Sequence, residues 1–206
     1  MVAPFVYLPC NSSTMTESDS TIAYFGYGSL VNLGSLRTPY ISAHRATLKG
    51  WKRSWLSRPK VDGSFAADEG LAFLSVVRAA DAEIDGLVII DHATSLPSLD
   101  KREVMYERTP IEAADLRFHD DVPQTGSQFL YVAAQPAATL QSHILRSYLD
   151  VVMQGYLKQF GEQGLQRFIA TTLNFDIPVR EDREEPLYPR ATALSDEEIG
   201  LFSSFK

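Results

Sequence analysis

The stretch Thr21-Ile22-Ala23-Tyr24-Phe25-Gly26-Tyr27-Gly28-Ser29-Leu30 is the first ordered-looking segment of this chain. Its β-branched and aromatic run, TIAYFGY, predicts a buried strand, and Gly28-Ser29 delivers that strand into a turn. A short helix or turn then spans about 30–37. A strand that ends in glycines and turns toward a helix exposes consecutive backbone N–H groups able to hold a carboxylate, phosphate or oxyanion. The same glycines also suit a tight turn with no ligand. As a dinucleotide fingerprint the stretch is incomplete, because Val31 stands where the third glycine belongs.

Upstream, residues 11–20 (NSSTMTESDS) are small and polar without period, which predicts a flexible leader over 1–20 and a single domain over 21–206. Downstream, short Val-, Ile- and Phe-rich runs predict strands at 45–55, 70–79 (GLAFLSVVRA) and 83–91 (EIDGLVIID), with Gly86 marking a bulge or a close backbone approach. Ser95 and Pro97 open a short helix over 95–105. Extended segments follow at about 108–118 and 127–133, separated by the turn DDVPQTGS. From Thr139, the residues Leu140, Ile144, Tyr148, Val152, Tyr156 and Phe160 recur every fourth position and predict a long helix. A second helix near 162–171 begins a helical C-terminal extension, the proline- and charge-rich 176–190 reads as a loop, and Ser195 to Glu198 is a capping box opening a last helix. Strands in the middle with helices toward the C-terminus predict an α+β fold whose small mixed sheet can curl into a barrel.

The chain has 206 residues, 45% of them hydrophobic and 11% aromatic, enough for one sizeable core. Its single cysteine, Cys10, excludes an intrachain disulfide and points to a reducing compartment. Nineteen basic and 26 acidic residues give a net charge of −7, and no dense Lys/Arg run exists to organise phosphates, so nucleic acid is not an expected partner. The first basic residue is Arg37 and no apolar run approaches a bilayer's thickness, which predicts neither a signal peptide nor a membrane span and a cytoplasmic location.

Common catalytic and metal motifs are absent: the chain has no H-E-x-x-H, G-x-S-x-G or G-x-x-x-x-G-K. His44, His92, His119 and His143 lack ligand spacing, so no metal site is expected. Glu103 falls near the apolar side of the predicted short helix, where a carboxylate either pairs with Arg102 or Arg108 or does chemistry. Asp100, Lys101 and Glu107 are expected at the surface. Tyr148 lies within the apolar stripe of the long helix, so its default is packing. Arg183 and Arg190 could clamp a substrate carboxylate or merely offset Glu181, Asp182, Glu184 and Glu185.

Tyr24 to Leu30 at the end of the first strand, taken with Leu99-Asp100-Lys101-Arg102-Glu103, resembles the γ-glutamylcyclotransferase family over roughly residues 22–160. The strand pair GLAFLSVV and EIDGLVIID falls where that family has its own pair. Leu30 stands where many members have asparagine. The resemblance implies a small mixed barrel and cleavage of a small γ-glutamyl compound to 5-oxoproline plus an amine, amino acid or dipeptide, with no cofactor. It implies Glu103 as general acid/base, Tyr27, Gly28, Ser29 and Leu30 as the anion-holding loop, and Tyr131 and Tyr148 as pocket tyrosines. Arg183, Tyr188 and Arg190 are expected to bring the 176–190 loop over the pocket and shape the choice of leaving group. Two other readings stay open on the residues: a non-catalytic module binding a small carboxylate, and a nucleotide-dependent enzyme cradling phosphate on the glycine loop.

Overall fold

A computed structural model describes residues 20–58, 70–122, 126–133 and 142–206. The expected leader, apart from Ser20, lies outside the described residues with Cys10, as do the middle of the DDVPQTGS turn and the residues 139–141 where the helical stripe begins.

The described residues form a mixed eight-stranded sheet: β1 (Thr21–Gly26), β2 (Ser42–Arg58), β3 (Gly70–His92), β4 (Tyr106–Ile111), β5 (Leu116–Phe118), β6 (Gln128–Ala133), β7 (Ser142–Leu145) and β8 (Val179–Arg180). Among them three α-helices flank it: α1 (Leu96–Arg102), α2 (Arg146–Thr171) and α3 (Asp196–Ser203). The hydrogen-bonded order is β4-β6-β1-β3-β2-β5, with β7 attached along the first residues of β3 and β8 paired to β7. β1 runs antiparallel to β3 and parallel to β6, so the strand predicted from TIAYFGY lies in the interior of the sheet and is buried from Ala23 onward. Burial on both faces explains why it reads as a continuous apolar run rather than an alternating one.

The two predicted strands at 70–79 and 83–91 are one 23-residue strand. Between them Ala79 to Ala82 have no partner in β2, the ladder passing from the Lys49–Glu83 pair to the Trp51–Arg78 pair, and they add little to the core. The register shifts there, Gly50 of β2 lying opposite the four unpaired residues of β3. Gly86 instead marks the close approach: a Cβ there would sit 2.4 Å from the Gly26 carbonyl oxygen and 2.5 Å from the Phe25 ring.

The long helix starts at Arg146, not near 139, because Ser142–Leu145 pair as a parallel strand with Gly70–Ala72 of β3. Gly161, at φ 67° and ψ −174°, interrupts α2, leaving a first helical part up to Phe160 and a second matching the predicted 162–171. The first part is buried on most of its circumference from Leu149 to Tyr156, since the sheet covers one side and the 183–194 segment with α3 covers another. Ser195 caps α3 with the predicted reciprocal box: its Oγ accepts from the Glu198 N–H while Glu198 accepts from the Ser195 N–H. Among the described residues, no helix is long and apolar enough to cross a membrane.

Candidate active site

β1 ends at Gly26, and the chain passes through Tyr27-Gly28 into a 3₁₀ turn over Ser29–Val31. The Val31 and Asn32 N–H groups close that turn on the Gly28 and Ser29 carbonyls at 3.0 and 3.1 Å. The Ser29 and Leu30 amides precede those bonds, and the first N–H groups of a helical turn have no acceptor inside it.

The turn is held from behind by α2. Asn32 is buried and its side-chain amide donates to the Val151 carbonyl at 3.0 Å and to Gln154 Oε1 at 2.9 Å. Gly155 presents its bare Cα to the turn backbone, where a Cβ would lie 2.6 Å from Asn32 N. Tyr156 donates to the Tyr27 carbonyl at 2.8 Å. The Asp85 carbonyl is also within reach of that hydroxyl at 2.9 Å, but Arg53 Nη1 donates to both at 3.0 and 2.9 Å, which leaves the Tyr156 proton for Tyr27. Arg53 is 2% exposed and bonds to Thr171, Thr172 and these oxygens, with its guanidinium over the Tyr156 and Phe168 rings.

Glu103 is the C-cap residue of α1, its N–H bonded to the Leu99 carbonyl. The short helix places its carboxylate opposite the Tyr27–Leu30 turn, at the wall of an inner recess of about 30 Å³ and of an outer cavity of about 410 Å³. The recess holds one or two water-sized groups. The outer cavity is in the usual range for a small-molecule site. Of the two alternatives raised for Glu103 the ion pair is present, since Arg102 Nε donates to Glu103 Oε1 at 3.0 Å, and the Glu103 side chain is still 14% exposed. Arg102 also reaches Ser29 Oγ and the Ser35 carbonyl, each at 3.3 Å, so one guanidinium ties the carboxylate to the glycine turn. Arg108 pairs with Asp100 instead.

Tyrosines crowd this carboxylate. Tyr27 donates its hydroxyl proton to the Tyr131 carbonyl, with Ser75 hydrogen-bonded to the same hydroxyl. Ser75 Oγ in turn accepts from the Ala133 N–H at 3.0 Å, which draws the end of β6 across to β3. Tyr131 turns its hydroxyl to Asp100 at 2.6 Å, so Asp100 is an acceptor fixing α1 to β6 rather than a purely solvated charge. Tyr106 donates to the Leu74 carbonyl at 3.0 Å. Tyr148 lies edge-on to Trp55, and its hydroxyl makes a hydrogen bond with the Leu74 backbone. Burial holds the phenols of Tyr24, Tyr27, Tyr131 and Tyr148 well above the ordinary tyrosine range, and the Glu103 charge adds to the shift in each. All four remain protonated in neutral solution.

The 176–190 loop divides. Tyr188 packs on Tyr148 with ring centroids 4.9 Å apart, and Tyr188 and Arg190 line the outer cavity with Glu103. Arg183 lies elsewhere: it grips Asp150 through Nε and Nη2 at 2.6 and 2.9 Å and faces a separate cavity between α2 and α3. Neither role expected for Arg183 accounts for this, because its partner is a buried carboxylate on α2 rather than a substrate or the neighbouring acidic residues. Asp182 of that acidic group accepts from the Ser147 N–H at 2.7 Å and anchors the loop to the first turn of α2. Leu74, Arg102 and Tyr106 also line the cavities and were not singled out as site residues. Tyr106 follows Glu103 by three residues, the one local signal that could have drawn attention to it. No cluster of three or more His, Cys, Asp or Glu side chains suited to a metal occurs among the described residues.

The mixed sheet with flanking helices is the fold of solved γ-glutamyl cyclotransferase structures. Among solved structures, a γ-glutamyl cyclotransferase superposes on 90% of this chain and 99% of its own, with 16% identity and a TM-score of 0.51. YkqA from Bacillus subtilis superposes on 80% of this chain and 58% of its own, with 16% identity and a TM-score of 0.55. No family model matches the sequence, and no curated protein matches it. At these identities the likeness is one of fold.

Proposed function

We propose that the protein is a γ-glutamylcyclotransferase-type lyase that converts a small γ-glutamyl compound to 5-oxoproline and a free amine, amino acid or dipeptide. The observation that carries this reading is the position of Glu103, a carboxylate at the cavity wall facing the amides of the Tyr27–Leu30 turn and surrounded by protonated tyrosines. The fold shared with a γ-glutamyl cyclotransferase supports it.

The reaction needs few protein groups because the substrate supplies both reactants. Its α-amine attacks its own γ-carbonyl carbon to close a five-membered ring, and the bond from that carbon to the leaving nitrogen breaks. Holding the chain curled so that amine meets carbonyl is an intramolecular proximity effect. Glu103 accepts the proton that the α-ammonium must lose and returns one to the departing nitrogen, so the enzyme ends unchanged. The Ser29 and Leu30 N–H groups hold the substrate's α-carboxylate or the oxyanion that forms on the γ-carbonyl oxygen, where loss of one such donor typically costs about 3 kcal/mol. The Tyr148 hydroxyl supplies a further donor. No step calls for a metal or cofactor.

Glu103→Gln keeps the size and hydrogen-bonding reach of the side chain and removes the base. The expected result is a folded protein, by circular dichroism, whose 5-oxoproline release falls at least about 100-fold. Release at the wild-type rate would refute the mechanism. The Arg102–Glu103 pair favours one second reading, a non-catalytic module binding a small carboxylate on the same fold. That reading predicts ligand binding without 5-oxoproline from any γ-glutamyl compound.

A further inference from the structure

Beyond Arg102, a second cavity of about 260 Å³ adjoins the outer chamber that contains Glu103, and the two share Arg102, Pro189 and Arg190 as a common wall. Arg37, an exposed residue, also lines this second cavity. Three arginines therefore line one small space. Arg102 is already engaged by Glu103, Ser29 and Ser35. Arg37 and Arg190 have no ion pair or side-chain hydrogen bond among the described residues.

The one carboxylate in the lining, Asp91, is 2% exposed and its Oδ1 accepts from the His92 N–H at 2.7 Å and from Ser95 Oγ at 2.9 Å. It is bonded into the β3–α1 corner, and the charge of the cavity stays positive. The backbone on either side of Arg190 is anchored. Tyr188 packs on Tyr148, its N–H donates to Ser147 Oγ at 3.2 Å, and the Ala191 N–H closes the turn on the Tyr188 carbonyl at 3.1 Å. A guanidinium with no protein partner, carried on an anchored backbone, matches a carboxylate, which it takes through two parallel N–H bonds.

We infer that the cavity between Arg37 and Arg190 binds a carboxylate on the leaving group, so that the substrates are γ-glutamyl compounds whose released amine is itself an acid, a γ-glutamyl amino acid or peptide rather than a γ-glutamylamine. This rests on the cyclotransferase reading. The γ-glutamyl end lies between Glu103 and the Tyr27–Leu30 turn, the departing nitrogen stands at Glu103, and its substituent runs past Arg102 beneath Pro189 and Arg190.

The test compares γ-glutamyl-alanine with γ-glutamyl-alaninamide, which differ by one charge at nearly constant size, by 5-oxoproline release from the wild type, Arg190→Gln, Arg190→Lys and Arg37→Gln/Arg190→Gln. The wild type is expected to favour the acid by about 10- to 100-fold in kcat/KM, the range of a charge-assisted hydrogen bond. That ratio should fall toward one in Arg190→Gln and further in the double variant, while Arg190→Lys, which keeps the charge without the fork, falls between. Equal kcat/KM for acid and amide in the wild type overturns the inference and leaves the cyclotransferase reading standing. So does an acid-to-amide ratio that Arg190→Gln leaves unchanged. Absence of 5-oxoproline from these compounds and from γ-glutamylamines alike overturns that reading and this inference with it.

Discussion

Gly155→Ala tests whether the candidate site is braced by the helix behind it. On the wild-type backbone the new Cβ would stand 2.6 Å from Asn32 N, 2.9 Å from the Val31 carbonyl carbon and 3.0 Å from Asn32 Cα. Ordinary contact begins near 3.4 Å, so turn and helix must separate by about 0.8 Å, and all three obstructing atoms are backbone. Overpacking of this kind costs about 1–3 kcal/mol, against which alanine's helix propensity returns up to about 1 kcal/mol. The balance is a loss of about 1–2 kcal/mol, or about 2–8 °C in Tm for a domain of this size. A shift approaching 1 Å in the Ser29 and Leu30 amides should also lower 5-oxoproline release by about 10- to 100-fold. Urea unfolding and turnover measured on one preparation report both effects. Gly200→Ala is the control, because α3 leaves open space at that position and only the propensity gain applies. A Gly155→Ala protein as stable as the control would refute the close approach, and a destabilised protein with full turnover would remove the turn from the catalytic machinery.

Two further substitutions examine the tyrosines. Tyr156→Phe takes away the donor to the Tyr27 carbonyl and an acceptor for Arg53, and is expected to cost about 1–3 kcal/mol in urea unfolding at neutral pH; a cost near zero would mean that water restores both bonds. The same residue has an alkaline signature. Burial raises its phenol from 10.0 to about 12, so the folded state holds the proton more tightly, and the stability so conferred is complete below pH 10 and lost as pH rises through about 12. The urea midpoint should fall over that interval, less steeply in Tyr156→Phe, and a midpoint independent of pH there would contradict the assignment. Tyr148→Phe should reduce kcat/KM about 10-fold and cost about 0.5–1.5 kcal/mol in stability, the worth of the hydrogen bond between its hydroxyl and the Leu74 backbone.

The parts of the fold legible in the sequence are those fixed by local chemistry. TIAYFGY is apolar enough to be only an interior strand, Pro97 sets the start of α1, and Ser195 with Glu198 writes the cap of α3 in adjacent residues. The start of α2 was misread because a spacing of four places Leu140, Ile144 and Tyr148 on one face of a strand as well as of a helix, and only pairing with β3 separates the two. At the site, Glu103 and the Tyr27–Leu30 turn could be named together because the resemblance joins them, and they do share a recess. Arg183 and Arg190 looked equivalent in the proline-rich loop. Asp150 draws one of them away, and that carboxylate lies on another element with nothing in the local sequence to announce it.

The sheet order also bears on how the molecule comes into being. Phe25 of β1 pairs with Val88 of β3 and Leu130 of β6, while the turn after β1 rests on α2. A ribosome releases β1 long before any of these partners, and an apolar strand without neighbours is a template for pairing with other chains. The hairpin of β2 with β3 needs only contacts near in sequence along much of its length and can form while synthesis continues. β1 must then slot in beside a ready-made ladder, and the recess at Glu103 closes only when the first part of α2 docks. Nascent chains arrested before Arg146 should accordingly engage chaperones through Tyr24 and Phe25, the residues that later floor the site.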